Sequence, residues 1–311
     1  METITIIGTG LIGSSLGMAL RKQGHFVIGC DKNIINLEQA KTIGAIDATS
    51  QPCLTGVKSI SQSVNQPACR QAGQSIVILA TPVDHILEVL PQILDNLPSD
   101  AVVIDTGSTK RAICQKVKNH PKRNAFVAAH PMAGSEQSGP QAARANLFEN
   151  KRVAICESEL SSQASLSKAI QLFESVGLEP VFMSPEQHDS SVALVSHLPQ
   201  ILAYAFASLP EFQNENSKDW ANVASSGFES STRLALSVPE VWLPILFQNR
   251  MFLVDALRSL SQNIDMIADS LMDNNTIPLR AKMERAKKTR VHFDEQQKNI
   301  NQGVEILSLT K

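Results

Sequence analysis

The chain predicts an α/β fold, a doubly wound and mostly parallel sheet followed by an all-helical domain that buries apolar surface against a second copy. Three observations carry this prediction. The first half alternates short β-branched runs with helical patterns, and a glycine-rich turn joins the first run to its helix. From Ser184 onward the alternation stops and only helical patterns remain. At 311 residues the chain is long enough for two domains, and 43% apolar with 19% charged residues is an ordinary globular balance.

Thr3–Ile7 is an apolar run closed by Gly8, and Phe26–Cys30 is a second. Further runs cover 75–80, 101–105, 125–129, 152–156 and 179–183. Continuous apolar strands separated by helices imply a sheet covered on both faces. Ile86, Leu87, Leu90 and Leu94 have helical spacing, as do Leu166, Ala169, Ile170, Phe173 and Val176, whose stripe ends at Gly177. A first domain over 1–183 follows. The helical patterns at 192–208, 241–260 and 264–271 assign 184–311 to a second domain. Those helices are apolar on more than one face, which implies a homodimer. Pro199 is expected to kink the first of them. Residues 50–74, rich in Ser, Gln and Pro, read as a long loop, and the polar tail after Met283 has no clear structure.

Composition excludes several classes. With 28 basic against 30 acidic residues the net charge is −2, so no global field draws the chain to nucleic acid or an anionic membrane. The basic cluster Arg280, Lys282, Arg285, Lys287, Lys288 and Arg290 reads as a solvated helix face. No run of 18 consecutive apolar residues exists, so no membrane span is expected. Met1-Glu2-Thr3 enters a strand with no basic region before it, so no signal peptide is expected. Five scattered cysteines (Cys30, Cys53, Cys69, Cys114, Cys156) form no C-x-x-C pair, which points to reduced thiols and a cytoplasmic protein.

Gly8-Thr9-Gly10-Leu11-Ile12-Gly13 is a G-x-G-x-x-G set between a strand and a helix, the Rossmann-type signature for a dinucleotide. Gly8 permits the tight turn, Gly10 lets a pyrophosphate approach the backbone, and Gly13 allows close helix–strand packing. The phosphate charge then meets the free N–H groups at the helix N-terminus, including those around Leu11 and Ile12. The second strand ends at Cys30 and Asp31 follows it, eighteen residues after Gly13. A carboxylate there accepts from both ribose hydroxyls and repels a 2′-phosphate, which favours NAD over NADP.

Ligands of such sheets bind beyond the carboxyl ends of the strands. Three polar segments lie there: Thr81-Pro82, then 105–110, then 130–136. His130 in the last is suited to act as base toward a hydroxyl being oxidised; by position alone it is equally a loop histidine with a satisfied hydrogen bond. There is no Tyr-x-x-x-Lys, G-x-S-x-G or G-x-x-x-x-G-K-[ST], and no His/Cys set at metal spacing, so no metal is expected. Hydride transfer resting on His130 remains.

At these residues the chain resembles the prephenate/arogenate dehydrogenases of tyrosine biosynthesis. The likeness runs through GTGLIGSSLG at 8–17, DTGSTK at 105–110, HPMAGSEQSG at 130–139, HD at 188–189, SHLP at 196–199, SSGFESSTR at 225–233 and PEVW at 239–242. It implies oxidative decarboxylation of a cyclohexadienyl substrate with NAD, prephenate first and arogenate as the alternative. By similarity His130 is the catalytic histidine at the C4 hydroxyl and Ser108 the serine assisting there. Arg233 anchors a substrate carboxylate, His197 lines the same pocket, and Trp242 reaches toward the partner subunit's site. Trp242 fits a core position as well, and His197 a buried structural one. Glu136 either faces the pocket or orients its loop. Many relatives carry a second histidine directly after SHLP; here it is Gln200, which hydrogen-bonds but does not titrate. The resemblance also implies a homodimer through the helical domain, and activity falling at acid pH as His130 is protonated.

Two rivals stand beside this reading. A β-hydroxyacid-type dehydrogenase would need a lysine four residues after a glycine, and neither Gly177 nor, in the second domain, Gly227 has one. A non-catalytic NAD-binding regulator would have no use for His130, Ser108 and Arg233 together.

Overall fold

Alternate residues of the central strands enter two different cores. Ile76, Ile78, Val102, Ile104, Val127 and Ala129 pack on one face, while Val77, Leu79, Val103, Phe126 and Ala128 pack on the other. Side chains on a strand alternate faces, so a sheet covered on both sides must be apolar at every position. Each such side chain contributes about 1.5–3 kcal/mol when fully buried.

The computed structural model describes residues 2–50, 74–213 and 219–309. Its strands are β1 (Thr3–Ile7), β2 (Phe26–Cys30), β3 (Ala48–Thr49), β4 (Gln74–Leu79), β5 (Val102–Asp105), β6 (Phe126–Pro131), β7 (Lys151–Cys156) and β8 (Leu178–Met183). They form one sheet in the order β3-β2-β1-β4-β5-β6-β7-β8. From β3 to β6 every pair is parallel; β7 runs antiparallel to β6, and β8 parallel to β7. Helices α1 (Leu11–Lys22), α2 (Ile34–Thr42) and α5 (Gln163–Ser175) cover one face, and α3 (Val83–Asp95) and α4 (Arg111–Val117) the other. The expected Rossmann-type α/β sheet is present. Strand order reverses between β1 and β4, which opens a crevice at their carboxyl ends. The short β3 was not anticipated, and the long loop expected at 50–74 falls almost wholly outside the described residues.

Past Met183 the chain is helical: α6 (Pro185–Val192), one π turn (Ala193–His197), α7 (Leu198–Gln213), α8 (Asp219–Val223), α9 (Ser226–Thr232), α10 (Pro239–Gln248), α11 (Arg250–Met272) and α12 (Thr276–Leu309). Ser184-Pro185-Glu186-Gln187 starts α6 with a capping box. Ser184 Oγ accepts from the Gln187 N–H at 3.1 Å and Gln187 Oε1 from the Ser184 N–H at 3.0 Å, with Pro185 at the first helical position. The helix expected at 192–208 is interrupted by the π turn just before Pro199, which has no N–H for the carbonyl four residues back. The helix expected at 241–260 is divided into α10 and α11 at Asn249, whose buried side chain donates to the Asp189 carbonyl and to His197. The tail after Met283 is a correction. It belongs to α12, whose Lys, Arg, Glu, Ala and Gln residues favour helix without a core, aided by pairs such as Arg290–Asp294.

By packing, Met1–Leu253 forms one compact unit and Val254–Lys311 a second. In the second, Lys282 Nζ donates to Asn263 Oδ1 at 2.7 Å and ties α12 to α11. One helical run among the described residues, Pro185–Pro210, is long and apolar enough by composition to cross a membrane. It carries the buried polar residues His188, Asp189, His197 and Gln200, all hydrogen-bonded to the rest of the first unit or to one another.

Candidate active site

The crevice is the mouth of a cleft of about 1130 Å³, larger than the ~300–1,000 Å³ usual for a single small ligand. At one end lie Gly8, Gly10, Leu11, Ile12 and Asp31, flanked by Thr81 and Pro82. At the other lie Ser108, His130, Glu136, His197, Gln200, Arg233 and Trp242. Every candidate cofactor, catalytic and substrate residue named from the sequence lines this cleft except Gly13.

The three glycines answer to different constraints. Gly8 has φ +97°, and a Cβ there would stand 2.5 Å from the Ala80 carbonyl oxygen. A Cβ on Gly13 would meet the Gly8 carbonyl oxygen at 1.9 Å, so only glycine lets α1 press onto the end of β1. A Cβ on Gly10 would meet nothing within 4 Å. No protein contact demands glycine at that position, so the open space above it fits the pyrophosphate of a dinucleotide. No side chain caps α1 and no acidic residue lies in its first turn, so its N–H groups stay available to an anion. Asp31 Oδ2 accepts from the Thr9 N–H (2.7 Å) and hydroxyl (3.1 Å), and Oδ1 from the Asn33 N–H (2.9 Å). That holds the carboxylate at the cleft with lone pairs to spare for a ribose diol.

His130 belongs to β6 rather than to the loop after it. Pairing with antiparallel β7 (His130 with Ala154, Pro131 with Val153) carries the strand beyond its parallel ladder. Beneath it, the buried Lys110 ammonium pairs with Asp105 and donates to the Ala129 carbonyl at 2.6 Å, while Asp105 Oδ1 accepts from the Ala129 N–H at 3.1 Å. His130 Nδ1 lies 2.8 Å from His188 Nε2, and His188 Nδ1 lies 2.8 Å from Asp189 Oδ1. Burial, with His188, Lys110 and His197 acting in the same sense, holds the His130 pKa well below the ordinary imidazole range.

His197 is buried at the end of the π turn. Burial brings it down to about 4, against an opposing pull from Asp189 and with a further lowering from His188. Asn249 Nδ2 donates to His197 Nδ1 at 3.0 Å, which leaves Nε2–H as the ring's donor, and Trp242 stands edge-on at 6.0 Å between ring centroids. Trp242 therefore lines the cleft of its own chain. Arg233 is half exposed and ion-paired through Nη1 with Glu136, so Glu136 holds the arginine rather than its own loop alone. Gln200 is fully buried: its Nε2 donates to the Leu234 carbonyl at 2.7 Å, and its Oε1 has no partner. Cys114 and Cys156 are buried thiols pushed up by desolvation, Cys156 to about 12, so neither serves as a nucleophile.

Reading of the residues alone gave no role to His188, Asp189, Lys110 or Asn249. The signal present was an ionisable His-Asp pair directly after a capping box, in a stretch otherwise turning apolar.

Comparison with known proteins agrees with this geometry. The family model for the nucleotide-binding domain of prephenate dehydrogenase matches residues 16–181, and that for its dimerization domain matches 184–285. A prephenate dehydrogenase of Bacillus subtilis is 30% identical over 270 residues, covering 86% of this chain and 69% of its own. The structure of A. aeolicus prephenate dehydrogenase in complex with hydroxyphenyl propionate and NAD+ superposes with a TM-score of 0.82 at 26% identity, covering 94% of this chain and 98% of that one. Synechocystis arogenate dehydrogenase does so with a TM-score of 0.71 at 26% identity, covering 94% and 99%. With a glycine turn, an acidic ribose site and a cleft histidine in one crevice, and both domain models matched in order, this chain belongs to the prephenate dehydrogenase family.

Proposed function

We propose that this NAD-dependent dehydrogenase oxidatively decarboxylates prephenate to 4-hydroxyphenylpyruvate, the step that commits the ring to tyrosine. The observation that carries the reading is the single cleft that joins the glycine turn and Asp31 to His130, Ser108 and Arg233. Bound NAD supplies the acceptor for the hydride leaving C4 of the ring. Gly8, Gly10, Leu11, Ile12, Thr81 and Pro82 hold the dinucleotide above Gly13, and Asp31 selects NAD by repelling a 2′-phosphate. His130 takes the proton of the C4 hydroxyl, with Ser108 assisting at the same oxygen. The guanidinium of Arg233 keeps N–H donors beyond the one held by Glu136 and anchors a substrate carboxylate. Loss of the ring carboxylate as CO2 follows from aromatisation, so the protein's main task is alignment plus one base.

One observation favours arogenate as a second reading. Gln200 Oε1 is a buried acceptor at the cleft with no protein partner, and an acceptor suits the ammonium of an amino-acid side chain better than a keto oxygen. We assign the functional domains to 1–183 and 184–311, the second also pairing two copies. Leu194, Val195, Leu243, Phe247 and Met251 are exposed on its helices, as a dimer face requires.

NADH formation from NAD with prephenate and, in parallel, with arogenate tests the function. Turnover on prephenate supports the first reading, and turnover on arogenate alone the second. No turnover on either, with NAD shown to bind, overturns both.

A further inference from the structure

We propose that His188 and Asp189 act as a positioning pair that aims His130 and takes over the proton it receives. The proposal rests on His130 being the base of the reaction. Asp189 is pinned from several sides. Its Oδ1 accepts from the Lys110 N–H at 2.7 Å, its Oδ2 from the Arg111 N–H at 3.0 Å, and its own carbonyl from Asn249 Nδ2 at 2.7 Å. Burial alone would push its carboxyl up, but the hydrogen bonds from His188 and from the Lys110 and Arg111 N–H groups outweigh that and keep it ionised.

An ionised carboxylate only accepts. His188 must therefore carry its proton on Nδ1, facing Asp189 Oδ1 at 2.8 Å, and its Nε2 must be an acceptor. That Nε2 lies 2.8 Å from His130 Nδ1, so His130 donates there and keeps its lone pair on Nε2. One carboxylate thus fixes two tautomers in series, and the nitrogen left for the substrate is His130 Nε2.

The same chain of contacts gives the proton a destination. The substrate O–H bond breaks as an N–H bond forms at His130 Nε2. The Nδ1–H bond of His130 then breaks as its proton passes to His188 Nε2. No electrons are exchanged in these steps: His130 ends neutral, and His188 ends as an imidazolium against Asp189. The groups around the two rings explain why the charge should move. Lys110, itself paired with Asp105, faces His130 from the segment after β5, and His197 faces it from the π turn. Neither offers a negative charge. Among the described residues, Asp189 is the carboxylate bonded to either ring.

His188→Asn tests this in the NADH assay across pH. Turnover is expected to fall about 100-fold, the size of a lost general-base contribution, with KM for NAD and for substrate within about threefold of wild type. The acid limb of kcat is expected to move up, because His188 is one of the groups that hold His130 below the ordinary imidazole range. A kcat within about threefold of wild type overturns the proposal, and so does a loss accompanied by raised KM and an unmoved limb. Should the variant fail to fold, ¹⁵N NMR of the wild-type histidines decides. Protonated Nδ1 with bare Nε2 on both rings supports the pair, and the opposite tautomer on His130 overturns it. His130→Asn runs in the same assay; full activity there sinks the base itself, separately from the relay.

Discussion

Lys110 and Asp105 form an ion pair that solvent does not reach, and that pair braces the strand end bearing His130. Asp105 also accepts from the Gly107 N–H at 2.9 Å and the Ala129 N–H at 3.1 Å, so the lysine neutralises a carboxylate that already organises two backbone segments. Removing one partner of a buried pair leaves a bare charge without water. Lys110→Ala is therefore expected to destabilise the protein by roughly 3–5 kcal/mol, read by urea denaturation. A loss under about 1 kcal/mol would mean that the pair contributes little and that Asp105 adapts without it.

His130→Asn keeps the ring's place in the cleft with a group that cannot act as a base near neutral pH. NAD affinity should stay unchanged while turnover falls by roughly two to four orders of magnitude. Because His130 is held well below the ordinary imidazole range, wild-type activity should persist through mildly acid pH and fall only below the usual histidine value of about 6.5. A kcat falling already through neutral pH would contradict that environment.

Stability should also respond to acid through His197. Its folded value near 4 lies below the value of about 6.5 in the unfolded chain, so between those limits the unfolded state binds more protons. Stability is then greatest above about 6.5 and declines as pH falls toward 4, by about 3 kcal/mol from this group. The slope of unfolding free energy against pH measures it, and His197→Gln should flatten that slope.

Two glycine substitutions separate packing from binding. Gly13→Ala places a methyl 1.9 Å from a backbone oxygen, so the melting temperature and NAD binding should fall together. Gly10→Ala meets no protein atom within 4 Å, so the melting temperature should hold while NAD affinity drops. Equal losses of stability in both variants would show that Gly10 is needed for the fold rather than for the phosphate.

Much of this site was legible in the sequence because its signals are local. A glycine turn must follow a strand and open a helix, and the acid must follow the next strand; all of that lies within the first 31 residues. His130 was reached from its place after a strand end, Ser108 and Arg233 through motif resemblance, and the fold places all three around one cleft. His188 and Asp189 were visible as a motif without a role, since nothing short-range says that residue 188 meets a ring 58 positions earlier.

The sequence by itself determined the doubly covered sheet, the dinucleotide turn and the helical second half. Apolar period, glycine spacing and helix caps act over a few residues and need no distant partner. Tertiary structure alone decided that β7 runs antiparallel and draws His130 into a strand, and that Asn249, between two helices, bonds the Asp189 carbonyl and His197. It also decided that a histidine from β6 and one from α6 share a hydrogen bond. Those outcomes depend on buried polar groups finding partners, and burial sets the partners only once the chain has closed on itself.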